Sequence, residues 1–91
     1  MIILVSYDLK LPGRSYENLY KVLKSAPKWW HFLESTWLLS IGANDFNYWV
    51  NSIRQVIDKN DRLLIFNVSG ATKDGWLPQE AWDWINQNDH Y

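Results

Sequence analysis

The sequence predicts a single α+β domain, and three observations lead to that fold class. Residues 2–7 and 62–68 are short runs that are apolar on both faces, which is typical of buried β-strands. The segments 15–26 and 44–58 instead repeat their apolar residues at helical spacing. The chain of 91 residues contains no linker or low-complexity stretch, so we expect one domain over residues 1–91. Its core is expected at 2–68, with a C-terminal extension at 69–91.

The first half of the chain predicts a strand, a helix and a hairpin. Ser15 is the expected N-cap of the first helix, and Pro27 marks its end. The segment 28–41 is rich in aromatic and β-branched residues, with a polar interruption at Glu34 and Ser35. We favour a hairpin that turns at these two residues, with one bulged strand as the alternative.

The second half predicts a helix, a strand and a closing helix. Asn44 is the expected N-cap of a helix that ends near Asp58. A strand follows at 62–68, and Pro78 is well placed as the first residue of the closing helix. We expect Ala81, Trp84 and Ile85 to share one side of that helix and Trp82 to point elsewhere.

The element order β-α-β-β-α-β matches the ferredoxin-like plan, in which two helices cover one face of a four-stranded antiparallel sheet. The other sheet face is bare in that plan, although these strands are apolar on both sides. Either a second copy of the chain or the extra C-terminal Trp-rich helix must cover it. We therefore expect a homodimer whose interface includes some of Trp37, Phe66 and Trp82.

Composition limits the partners and the compartment. A net charge of −1 excludes a global attraction to nucleic acid or to a membrane surface, so any basic face must be local. The absence of cysteine excludes disulfides and thiolate zinc sites. Residues 2–5 are too short an apolar run for a signal peptide and lack a basic leader, so we expect a cytoplasmic protein without a membrane partner.

Asp8 is the leading candidate for a functional residue, because it is the first charge after a buried strand. Such a position presents a carboxylate to solvent or to a metal, and the alternative is that Asp8 accepts hydrogen bonds within its own loop. Lys10 and Arg14 follow in that loop, where they can meet a phosphate or lie solvated around a tight turn.

Aromatic residues supply a second group of candidates. His31 is either a general base or phosphate contact, or a hydrogen-bonded structural residue. Trp29, Trp30 and Trp37 either form a stacking platform for bases or pack in the core, with core packing favoured for at least two of them. If the ligand is a nucleic acid or nucleotide, we expect contacts from Lys10, Arg14 and His31 with Trp30 stacking.

Three short motifs carry a resemblance to a known family: Val5-Ser6-Tyr7-Asp8-Leu9, Leu19 with Val22-Leu23, and Glu34-Ser35-Thr36-Trp37. Over residues 2–68 the chain resembles the small CRISPR-associated adaptation proteins, whose plan the VapD toxins share. The resemblance implies a symmetric dimer in which Asp8 faces its mate and holds a magnesium ion for phosphodiester cleavage. We also expect Tyr7, Ser35 and Trp37 among the ligand-binding positions. Only Asp8 matches a metal-binding position and the surface is not strongly basic, which weakens the case for catalysis.

Three function classes therefore stay open. The favoured one is a dimeric, non-catalytic protein that binds nucleic acid or a nucleotide. The first alternative is a magnesium-dependent nuclease that uses Asp8 from each protomer. The second is a protein-interaction subunit that docks through exposed tryptophans, since seven tryptophans in 91 residues exceed what a small core needs.

Overall fold

The computed structural model describes residues 1–10 and 16–89, which form a four-stranded antiparallel sheet and three helices. The order of elements agrees with the β-α-β-β-α-β prediction and its closing helix. Arg14 and Ser15 lie outside the described residues. The elements are β1 Ile2–Asp8, α1 Glu17–Lys24, β2 Lys28–Leu33, β3 Thr36–Ser40, α2 Phe46–Arg54, β4 Arg62–Asn67 and α3 Gln79–Asn88.

The sheet order is β2-β3-β1-β4, so β1 lies inside the sheet and pairs with strands on both sides. Strands β2 and β3 form an antiparallel hairpin that turns at Glu34 and Ser35, which confirms the hairpin prediction. The register of this hairpin shifts between Trp30 and Leu33, so the hairpin also contains an irregularity.

Helices α1 and α2 cover one face of the sheet and form the main core with it. Each helix buries two residues four positions apart, which lie on one side of a helix. Burial of each such side chain contributes about 1.5–3 kcal/mol. The core residues on this face are Ile3, Val5 and Tyr7 of β1, Trp37 and Leu39 of β3, Leu19 and Leu23 of α1, and Trp49 and Ile53 of α2.

Helix α3 covers part of the second face, so one of the two expected covers is present within the chain. Ala81 and Ile85 pack there against Ile2, Trp30 and Leu38 of the sheet. The indole Nε1 of Trp30 donates a hydrogen bond to the backbone oxygen of Ala81 at 3.2 Å.

The predicted orientation of Trp82 is wrong. This side chain packs against the same cluster as Ala81 and Ile85 and does not point elsewhere. The reason is that α3 lies flat against an aromatic sheet face, so the apolar side of the helix is wide enough to include Trp82.

Strand β4 lies at an edge of the sheet, and its apolar residues are only partly covered. Leu63 and Ile65 pack against the core on the helix face, whereas Leu64 and Phe66 are exposed on the second face. Phe66 is 57% exposed. Helix α3 therefore leaves an apolar strip of the second face uncovered.

The predicted bounds of the second helix need correction. Asp45, not Asn44, precedes its first residue, and Asp45 makes no side-chain capping bond. The helix also ends at Arg54, before Asp58, because the following turn is organised around the buried carboxylate of Asp61. That carboxylate accepts the backbone N–H of Asp58 at 2.9 Å, a bond that a continuing helix does not allow.

Candidate nucleic-acid interface

An aromatic and cationic surface lies where α1 meets the edge strand β2, and we call it the α1–β2 surface. Its helix residues are exposed and flank the buried positions Leu19 and Leu23 of α1. Its strand residues alternate along β2, so they share one side of the strand. The surface consists of Tyr20, Lys21, Lys24, Trp29 and His31.

The ring of Trp37, only 1% exposed, supports this surface from below. His31 stacks on it with ring centroids 3.8 Å apart and planes at 13°, and Tyr20 stacks at 6.4 Å and 20°. Trp29 meets the same ring at 5.4 Å with a tilt of 46°. Three surface rings are thus fixed in place by one buried indole, which lowers the entropy that they lose when a ligand binds.

Tyr7 fixes Trp37 in turn. Trp37 Nε1 donates a hydrogen bond to Tyr7 Oη at 2.9 Å, and both groups are buried. Burial raises the pKa of the Tyr7 phenol, the bond from Trp37 lowers it, and the neighbouring Tyr20 phenol raises it again. Tyr7 therefore stays neutral at physiological pH and acts as an acceptor for the indole.

The exposed members of the surface provide a π-face and positive charge. Trp29 is 41% exposed, and Lys24 Nζ lies 5.6 Å from the centroid of its ring, a cation–π contact. His31 Nε2 donates to the backbone oxygen of Glu34 at 3.0 Å, which leaves Nδ1 as its remaining ring nitrogen. A planar base and a phosphate both have suitable partners here.

Asp8 lies at the tip of β1 with its carboxylate largely exposed and paired with the ammonium of Lys10. With Arg62 and Ser6 it lines a shallow depression of about 250 Å³. Among residues 1–10 and 16–89, no three or more carboxylate or imidazole side chains are grouped to hold a metal.

The structure brings together several of the predicted ligand-binding residues. Tyr7 lies beside Ser35, because the N–H of Tyr7 donates to the Ser35 backbone oxygen at 3.1 Å. Trp37 contacts both Tyr7 and His31. Asp8 and Lys10 follow at the same end of β1, and Arg14 lies outside the described residues.

Trp30 does not belong to this group. It is 3% exposed, lies on the second face and bonds to α3, so its ring is not available to stack on a base. Trp29 takes that position, and Tyr20 is a further aromatic that the sequence reasoning missed. Strand alternation is the signal that groups Trp29 with His31, because residues 29 and 31 share a side of β2 whereas residue 30 faces the other way.

No protein-family model matches the chain, and no curated protein is significantly similar to it. The resemblance to the adaptation proteins and the VapD toxins accordingly stays a prediction. Within residues 1–10 and 16–89, none of the helices is long and apolar enough to cross a bilayer.

Proposed function

We propose that the protein is a cytoplasmic, homodimeric, non-catalytic module that binds single-stranded nucleic acid or nucleotides through its α1–β2 surface. The observation that carries the proposal is Trp29, an exposed indole beside the Lys24 ammonium and held by the buried ring of Trp37. Stacking of a base on an aromatic side chain contributes about 1–3 kcal/mol. A rigid indole with a cation at its side is the arrangement that such stacking uses.

Local charge supports the proposal where net charge does not. Lys21 and Lys24 lie on the solvent side of α1, and His31 adds a hydrogen-bonding ring at the edge of the sheet. Two lysines neutralise about two phosphates. We therefore expect a plot of the logarithm of the association constant against the logarithm of the salt concentration to have a slope of about −1.4 for a single strand. This weak dependence separates the surface from the strongly basic binding faces of duplex-binding proteins.

The architecture is compatible with the ferredoxin-like plan and with a dimer. The central position of β1 and the location of α1 and α2 on one face support the plan. Leu64 and Phe66 support a homodimer, since a second copy that covers this strip removes two large apolar side chains from water. Trp37 is buried within its own protomer, so it is not part of the proposed interface.

The test is a titration of labelled single-stranded RNA and DNA of about ten nucleotides, followed by fluorescence anisotropy at about 50 mM and about 200 mM salt. We expect Trp29→Ala to weaken binding about tenfold, equivalent to about 1.4 kcal/mol of lost stacking. Lys24→Ala is expected to weaken binding and to flatten its salt dependence.

Trp76→Ala is the matched control, because Trp76 is fully exposed in the segment before α3 and lies outside the α1–β2 surface. It is expected to leave the affinity unchanged. Equal losses in Trp29→Ala and Trp76→Ala, or no binding of either oligonucleotide at low salt, contradict the proposal.

Protein docking is the second candidate function, and the complete exposure of Trp76 is the observation that favours it. Exposed tryptophans are rare on isolated domains and common at the centres of interfaces. This candidate predicts association that depends on Trp76 and responds little to salt.

Magnesium-dependent cleavage by Asp8 and its symmetry mate is a separate proposal. Asp8 is exposed at a strand tip, where the Lys10 ammonium competes with magnesium for its carboxylate. Incubation of mixed RNA and DNA with magnesium, with Asp8→Asn as the control, tests this activity directly. Cleavage by the wild type that Asp8→Asn abolishes is the expected result if Asp8 binds the metal.

A further inference from the structure

Among residues 1–10 and 16–89, no strand pairs with β4 on the side away from β1, and the hydrogen-bond pattern identifies which groups of β4 face outward. Val68 donates its N–H to the Ile2 oxygen at 2.9 Å, while Tyr7 donates to Ser35 on the opposite side of β1. Even-numbered residues of β1 therefore bond to β4, and odd-numbered ones bond to β3. By the same alternation, Leu63, Ile65 and Asn67 direct their N–H and C=O groups away from β1.

A groove of about 790 Å³ runs beside this edge, between α2 and β4, and we call it the α2–β4 groove. Its apolar residues are half-buried, so each retains surface that a ligand can cover. Leu63 and Ile65 contribute both these side chains and the outward backbone groups. The apolar lining is Phe46, Val50, Ile57, Leu63 and Ile65.

The groove is cationic at the end where β4 begins. Arg54, Lys59 and Arg62 line it there, against the two carboxylates of Asp58 and Asp61. Both carboxylates already accept hydrogen bonds from the protein: Asp61 from three donors, and Asp58 from the backbone N–H of Asn60 at 2.8 Å. The three cations outnumber the two carboxylates, which leaves the lining at this end with a net positive charge.

We propose that the α2–β4 groove binds an extended peptide that pairs antiparallel with β4 and carries carboxylates at its C-terminal end. An antiparallel strand ends beside Arg62, so its terminal and side-chain carboxylates lie next to the cationic end of the groove. Its alternate side chains enter the apolar groove, and its backbone bonds to Leu63, Ile65 and Asn67.

Charge distinguishes this occupant from a second copy of the chain. Antiparallel pairing of two β4 strands sets the uncharged end of one, Asn67 and Val68, beside Arg62 of the other. That pairing adds no carboxylate to this end of the groove, where three cations already outnumber the two lining carboxylates. An acidic peptide terminus provides one, so charge complementarity favours the peptide.

The probe is a labelled eight-residue peptide of alternating valine and threonine that ends in two glutamates and a free carboxylate. Amide hydrogen exchange by NMR provides the first measurement. In the free protein we expect the amides of Leu63, Ile65 and Asn67 to exchange at least about tenfold faster than those of Leu64 and Phe66. Saturation with the peptide is expected to slow exchange at the three outward amides.

Fluorescence anisotropy with the same peptide measures the charge requirement. Replacing the glutamates by glutamine and amidating the terminus is expected to weaken binding about tenfold, as is Arg62→Gln, because each removes a charge-assisted bond. Lys28→Gln is the matched control, since Lys28 is exposed on the edge strand β2. It is expected to leave the affinity unchanged.

Two results overturn the inference. If saturating peptide leaves exchange at Leu63, Ile65 and Asn67 unaltered, no strand is added at this edge. If these amides become protected with rising protein concentration in the absence of peptide, the occupant is a second copy. Because the exchange experiment uses the wild-type protein, neither result depends on whether a variant folds.

Discussion

Replacement of Tyr7 by phenylalanine tests the support beneath the α1–β2 surface. Tyr7→Phe removes the oxygen that accepts the Trp37 indole N–H at 2.9 Å and changes little else in shape. Tyr7 is 7% exposed and Trp37 is 1% exposed, so water has little access to replace the lost acceptor. A buried, unsatisfied donor costs about 1–3 kcal/mol, which lowers Tm by about 5–20 °C in a domain of this size.

The assay is urea unfolding followed by tryptophan fluorescence, with thermal unfolding as the second measurement. Tyr48→Phe is the matched control, because Tyr48 is exposed on α2 and its substitution is expected to change the free energy of unfolding by less than about 0.5 kcal/mol. An equally small change in Tyr7→Phe refutes the argument that this hydrogen bond fixes Trp37.

The difference in stability between the wild type and Tyr7→Phe is also predicted to depend on pH. Burial raises the pKa of Tyr7 above its unfolded value of 10.0, so the folded state binds the phenolic proton more tightly than the unfolded state. The stability linked to this proton is fully present below pH 10 and is lost as the pH rises through the folded pKa. Tyr7→Phe lacks this group. The difference in unfolding free energy between Tyr7→Phe and the wild type is therefore expected to narrow as the pH rises above 10.

Two further substitutions test the second sheet face. Trp30→Ala is expected to lower the free energy of unfolding by about 3–5 kcal/mol, because it deletes a buried indole that bonds to Ala81. It is also expected to expose α3 to limited proteolysis. A loss of unfolding free energy below about 1 kcal/mol contradicts this packing. Phe66→Lys is expected to convert the proposed dimer to a monomer in analytical ultracentrifugation, because it places a charge in the apolar interface. The protein is expected to stay folded, because this side chain is already exposed in one protomer. An unchanged dimer, or a monomeric wild type, excludes that interface.

The sequence predicted the order of elements because its periodicity changes clearly between strands and helices. The hairpin turn at Glu34 and Ser35 was predictable for the same reason, since two polar residues interrupt an aromatic run. The end of α2 was not, because it depends on Asp61, whose carboxylate bonds to groups distant in sequence such as the Lys10 N–H. Long-range contacts of this kind leave no local pattern.

The candidate site was predicted only in part. Asp8 at the tip of β1 and His31 on an exposed edge follow from position within a strand, which a sequence reveals. The prediction that Trp30 stacks on a base was wrong, because it required knowing which side of β2 is exposed. Both sides of β2 carry aromatic residues, so the sequence does not distinguish them. Only the packing of α3 against Trp30 identifies the side that is buried.

The most direct test of the proposed function is NMR observation of the indole N–H resonances while a single-stranded oligonucleotide is added. Each tryptophan gives one such signal, so a single spectrum compares the exposed Trp29 with the buried Trp30 and the distant Trp76. We expect the Trp29 signal to shift most and those of Trp30 and Trp76 to stay in place. A shift confined to Trp76, or no shift at saturating oligonucleotide, contradicts binding through the α1–β2 surface.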